Sequence, residues 1–267
     1  MSEDLIEKFE DGVATLIMNR PHARNAMSGD MMSALAEAVP RLANDPEVRL
    51  VVLTGAGGAF CAGGDVKGFA ADAGSDTAKP LTVDELAANL REGTKISELF
   101  NEMPKPTLAI IPGACAGAGL SLALSCDLRM VVDNAKITTA FSKIAASGDY
   151  GGSWFMTQLL GAAKARELYF TADVILGSEA YRLGLANKLV SAENLEEVTR
   201  AYTQYLANLP TIAIGYMKKN LNMAQQGSLA QVLDLECGHM VRSMTTQDHK
   251  SAAVAFVEKR APEFKGH

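Results

Sequence analysis

Two short apolar runs, LVVLTG (50–55) and TLAIIPG (107–113), each break into a glycine-rich turn that leads toward a helix. The turns read GAGGAFCAGGD (55–65) and PGACAGAGLSLALSCD (112–127). Runs of this length ending in glycine suit strands buried on both faces. Further strand-like runs, LRMVVD, AKITTA and KLV (188–190), alternate with helical stretches. This alternation predicts an α/β fold with largely parallel pairing.

The rest of the chain fits that frame. Asp11-Gly12 between IEKFE and VATLIMN predicts a hairpin. Ser28 precedes apolar positions at Leu35, Ala38, Val39 and Leu42, a capped amphipathic helix. Residues 67–85 are small and polar and predict a loop or lid. Pro104 and Pro106 end a helix that runs to about Met103. Three helical stretches fill about 206–258, with apolar positions such as Leu221, Leu229, Met240 and Val254. They pack on their own core or against another subunit. The boundary predicted is a core over 1–205 and a helical region over 206–267.

Composition narrows the classes of function. The 267 residues carry 25 basic and 31 acidic side chains, a net charge of −6, which disfavours nucleic acid as a partner. No apolar run reaches the roughly 18 residues of a membrane span. The acidic start MSEDLIEKFEDG has no signal-peptide pattern and predicts a cytoplasmic protein. Cys61, Cys115, Cys126 and Cys237 show no CxxC spacing, and His22, His239, His249 and His267 have no ligand-like neighbours. Buried free thiols and no metal site are expected.

Small residues let a ligand lie against the backbone, and free N–H groups at a helix start favour negative charge. Two such turns can aim two N–H donors at one oxygen, as an oxyanion hole requires. Neither turn completes GxGxxG, because Phe60 and Leu122 stand at the third glycine. A simpler alternative is that the glycines only permit tight turns between strand and helix.

The stretches NRPHARNAMS (19–28), LTGAGGAFCAGGD (53–65), KPTLAIIPGACAGAGLSLALSCDLR (105–129), FSKIAASGDYGGSW (141–154) and FTADVILGSEAYRLGLANKLV (170–190) resemble the enoyl-CoA hydratase/isomerase, or crotonase, superfamily. The resemblance implies a spiral of β-β-α repeats with C-terminal helices that build a trimer or a dimer of trimers. It implies an acyl-CoA thioester as substrate and no cofactor beyond the coenzyme A that the substrate carries. By position, the oxyanion-hole amides fall to Gly64 and Ala118, with Ala62, Asp65, Arg24 and Lys67 near the substrate. Arg24 and Lys67 read equally well as solvated surface charges, and Asp65 as a turn residue.

The hydratases of this superfamily use two glutamates. Their positions here hold Ser121 and Phe141. An unactivated hydroxyl and a phenyl ring cannot act as the general base of hydration. Asp149 instead resembles the catalytic aspartate of the enoyl-CoA and ring-epoxyacyl-CoA isomerase branch, and the same position holds the nucleophile in dehalogenase relatives. Its other role would be to cap the helix that starts near Gly151. Phe141 and Trp154 are candidates for the wall of an acyl pocket. The resemblance therefore implies a double-bond isomerase with Asp149 as its single acid/base. A hydratase, dehalogenase or thioesterase on the same scaffold, and a catalytically silent acyl-CoA-binding protein, are the alternatives.

Overall fold

A computed structural model describes residues 3–65 and 81–267. β1 (Leu5–Glu10) and β2 (Val13–Met18) form the predicted hairpin, with positive φ at both Asp11 and Gly12. β2 alternates buried and half-buried residues, so only one of its faces is fully covered. Ser28 caps α1 (Gly29–Asn44) by accepting from the Met31 N–H. β3 (Leu50–Gly55) and β4 (Thr107–Ile111) are buried on both faces, as central parallel strands require.

Between them lie α2 (Val83–Gly93) and α3 (Lys95–Glu102). The loop expected over 67–85 ends early. Thr82 and Glu85 form a reciprocal capping box, and 83–85 are the first turn of α2. The remainder of that expectation, 67–80, lies outside the described residues.

Next come β5 (Cys115–Ala116), α4 (Ala118–Ser125), β6 (Leu128–Val132) and β7 (Lys136–Thr138). α5 (Gly152–Thr171), β8 (Ile175–Leu176), α6 (Gly177–Leu183) and β9 (Lys188–Val190) follow. The large sheet has the order β1-β2-β3-β4-β6-β9 and is parallel after its first pair. A small sheet has the order β5-β7-β8. β4 and β6 join the large sheet, and the strands that follow them, β5 and β7, join the small one. The segment after β3 repeats the step, because Cys61 bridges to Cys115 at the edge of the small sheet. Each unit thus climbs from large sheet to small sheet to helix, which is the expected spiral. Every residue of α4 is buried, so this apolar helix is the axle of the core.

α7 (Leu195–Ala207) leads into α8 (Thr211–Ala224), α9 (Leu229–Thr245) and α10 (Gln247–Val257). Polar locks hold this region to the core. Lys218 Nζ, buried, donates to Phe100 O at 2.7 Å and to Asp127 Oδ2 at 2.8 Å. Arg49 donates to Thr211 Oγ1, Leu209 O and Phe264 O. The apolar stripes are not consumed by these contacts: Leu221, Met240, Phe256 and Val257 remain exposed. Among the described residues, no helix is long and apolar enough to cross a membrane.

α5 is two helices in one run. Gly161 breaks it at φ 75° and ψ 161°, a conformation that glycine alone adopts readily. A Cβ at 161 would meet no atom within 4 Å, so any cost of substitution is conformational. Gly161→Ala is expected to lower unfolding stability by about 1–3 kcal/mol in a urea melt, with m unchanged.

Candidate active site

The site begins with a clamp. After the turn at Pro21–Ala23, Arg24 and Asn25 both take left-handed φ. Asn25 is fully buried. Its Nδ2 donates to Ala56 O and Ala59 O at 2.9 Å, and its Oδ1 accepts from Arg20 N at 2.9 Å. Ala62 N donates to Arg24 O, and Met27 N donates to Gly63 O. The first glycine turn is thereby fixed along its length by residues 20–27.

The second turn is stitched to the first. Phe60 and Cys61 N–H groups donate to Ala114 O, and Ala116 N–H donates to Cys61 O. A Cβ placed on Gly63 would stand only 3.4 Å from Ala118 N. Ala118 is the first residue of α4, and the first bond of that helix runs from Ser121 N to Gly117 O. The Ala118 N–H therefore precedes the intrahelical ladder and points out from the positive end of the helix dipole. Gly64 and Ala118 line one cavity of about 620 Å³ together with Ala62, Asp65, Phe141 and Asp149.

The segment 140–150 supplies further lining, and within and next to it Ala140, Ala145, Gly148, Tyr150 and Gly151 all have positive φ. Strain of this kind concentrates at functional sites. The alternative role for Asp149, a side-chain cap on α5, is not what it does here. Gly151 occupies the N-cap of α5 with no side-chain bond, and Asp149 contributes only its backbone oxygen, to Gly152 N. Asp149 lines the cavity. Oδ1 is buried without a hydrogen-bond partner among the described residues. Burial raises the pKa of this carboxyl above its ordinary value. Tyr150 beside it is buried, and its phenol is pushed up to about 12 by that burial and by the Asp149 charge.

The other lining acid, Asp65, is engaged. Arg20 reaches its Oδ2 at 3.3 Å and Asp4 at 3.6 Å. Ser121 is buried, with Oγ 3.4 Å from Gly117 O, and does not line the cavity. Phe141 does, as an apolar wall.

Two expected neighbours, Trp154 and Arg24, are not among the residues that line the cavity. Trp154 lies on α5 past the turn, where the helical rotation carries it to a separate groove with Phe155, Leu159, Leu206 and Leu221. Its ring meets Phe155 edge-on at 5.0 Å. Arg24 lends the first turn its carbonyl, but its side chain is exposed and off the cavity lining. Lys67 lies outside the described residues. Cys61 and Cys115 are buried free thiols; burial pushes Cys61 up to about 12 and Cys115 well above its ordinary value. Among the described residues no group of acids, histidines and cysteines forms a metal site. Met27, Met32, Leu90 and Ile144, which the sequence did not single out, supply the apolar lining. The i, i+4 spacing of Ser28 and Met32 across the helix start was the available signal for that face.

Residues 8–267 match the profile of the family described as Enoyl-CoA hydratase/isomerase. The 1,2-epoxyphenylacetyl-CoA isomerase of Escherichia coli (strain K12) is 32% identical, over all of both chains. The crotonyl-CoA hydratase of Syntrophomonas wolfei is 31% identical over 98% of each. Among solved structures, an enoyl-CoA hydratase from Polaromonas sp. JS666 superposes with a TM-score of 0.88 at 32% identity, covering 97% of this chain and 99% of that one.

A carboxyl whose pKa is raised by folding binds its proton more tightly in the folded state. Its penalty is absent below the ordinary value of 3.8 and grows as pH rises through the folded pKa. Asp149→Asn should therefore melt at a higher temperature than wild type at pH 7. The gap should close as the pH of the melt is lowered toward 3.8.

Proposed function

The chain belongs to the enoyl-CoA hydratase/isomerase family of acyl-CoA enzymes, and we infer that within it the protein is a double-bond isomerase with Asp149 as its single acid/base. The observation that carries this is Asp149 itself: it lines the cavity, its Oδ1 is buried without a hydrogen-bond partner among the described residues, and burial raises the pKa of its carboxyl. A carboxylate so placed accepts a proton more readily than one in water.

On a 3-enoyl thioester the steps balance without a second reagent. Asp149 takes a proton from C2. The electron pair moves into a dienolate whose oxygen is held by the N–H groups of Gly64 and Ala118. The protonated Asp149 then returns the proton at C4, which leaves the 2-enoyl thioester. Each oxyanion donor contributes on the order of 10²–10³ in rate. The reaction uses no cofactor besides the coenzyme A that the substrate carries. Ring acyl-CoA substrates fit the same chemistry and the apolar wall at Phe141. Hydration has less support, because Ser121 and Phe141 cannot replace two acids.

Helices α8–α10 expose several large apolar side chains, among them Leu221, Leu229, Met240, Phe256 and Val257, of the kind that an interface between subunits covers. We assign the helical region from about residue 206 to assembly of a homotrimer, or a dimer of such trimers.

The test follows absorbance as a 3-enoyl-CoA or a trans-2-enoyl-CoA is mixed with enzyme. Wild type should conjugate the 3-enoyl substrate, and Asp149→Asn should lose about 10²–10⁴ of that rate. The wild-type rate should fall as pH drops through a pKa above that of an ordinary aspartate. Loss of the conjugated 2-enoyl signal, with no conjugation of the 3-enoyl substrate, would instead identify a hydratase.

A further inference from the structure

The break at Gly161 has a consequence at the acid. A straight helix would separate residues 152 and 169 by about 25 Å. Here the second half of α5 folds back. The Tyr169 hydroxyl would lie 2.5 Å from a Cβ built on Gly152, and its Cε1 3.0 Å from one built on Gly148. The Tyr169 ring also stacks on Phe141, with centroids 6.0 Å apart and planes 20° from parallel. The two glycines flank Asp149, and neither leaves room for a side chain. The aromatic pair is therefore a rigid backing against the turn that carries the acid.

We propose that Tyr169 is a positioning residue for Asp149: its ring, held by Phe141 and pressed on Gly148 and Gly152, aims the carboxyl into the cavity and keeps water from behind it. This rests on Asp149 being the acid/base. Burial and the Asp149 charge push the Tyr169 phenol up to about 12, while the Ser121 hydroxyl draws it down, so the ring acts as a neutral wall. The other titratable groups nearby are Tyr150 and Cys61, both neutral by burial, and the Asp65–Arg20 pair that lines the first turn.

The experiment uses Tyr169→Phe, which keeps the ring, and Tyr169→Leu and Tyr169→Ala, which remove it. The Asp149 carboxyl is titrated by carbon-13 NMR, with Asp149→Asn assigning its signal, and kcat and KM are measured on a 3-enoyl-CoA. Removing the ring should move the Asp149 pKa down toward 3.8 and lower kcat by about 10–100-fold, with KM within about twofold. Tyr169→Phe should keep the wild-type pKa and a kcat within about threefold. Tyr169→Leu serves if the alanine variant does not fold. A folded ring-less variant with the wild-type Asp149 titration overturns the proposal, as does a Tyr169→Phe variant as impaired as Tyr169→Ala. If wild type turns over no 3-enoyl-CoA, the isomerase assignment fails, and the NMR titration still decides the role of Tyr169.

Discussion

The buried side chain of Asn25 is the constraint on which the rest of the site depends. Its amide satisfies Ala56 O, Ala59 O and Arg20 N at once, from a side chain that is itself fully buried. Each group would cost about 1–3 kcal/mol if left unpaired in the interior. The first glycine turn is thus held by hydrogen bonds as well as by the packing of Phe60 and Cys61 into the core. The bonds through Ala114 and Cys61 pass that rigidity to the second turn. Two backbone N–H groups can then line one cavity without any side chain to aim them. On the function proposed above, such a donor set is preorganised before substrate arrives, which is the condition under which oxyanion stabilisation is large.

The acid is set by the opposite means. Asp149 Oδ1 has no hydrogen-bond partner among the described residues to fix it, and its segment is strained by left-handed residues on both sides. The surrounding walls, Phe141 and Tyr169 among them, hold that strain in place. Desolvation raises the pKa of the carboxyl and so makes it a stronger base than a solvated aspartate. The same desolvation costs folding stability at neutral pH, a trade common at catalytic positions.

Much of this was legible in the chain. Strand runs such as LVVLTG and TLAIIPG, the Asp11-Gly12 hairpin and the Ser28 cap depend on local chemistry, and each formed where its residues predict. The glycine turns and Asp149 were visible because small residues and a lone acid stand out. Trp154 was misplaced because adjacency in sequence stops predicting direction once a helix begins. Thr82 and Glu85 carried a capping signal inside a polar stretch that composition alone describes as loop. Tyr169 was hidden for a different reason. Its place beside Gly148 and Gly152 depends on a reversal at Gly161, and a single glycine in a helical pattern does not announce which way the chain turns. Asn25 was hidden because its partners are backbone carbonyls more than thirty residues away.

The central claim is that Asp149 removes a proton from the carbon next to a thioester held by two amides. Solvent exchange at that carbon tests it without requiring the right double bond. An arylacetyl-CoA has an acidic C2–H and nothing to isomerise, so incubation in D₂O and mass analysis of the recovered thioester isolates the step. The account predicts deuterium at C2 with wild type and none above background with Asp149→Asn, while both proteins still bind the thioester. Equal exchange by the two proteins, or no exchange by a wild type that binds, would contradict it.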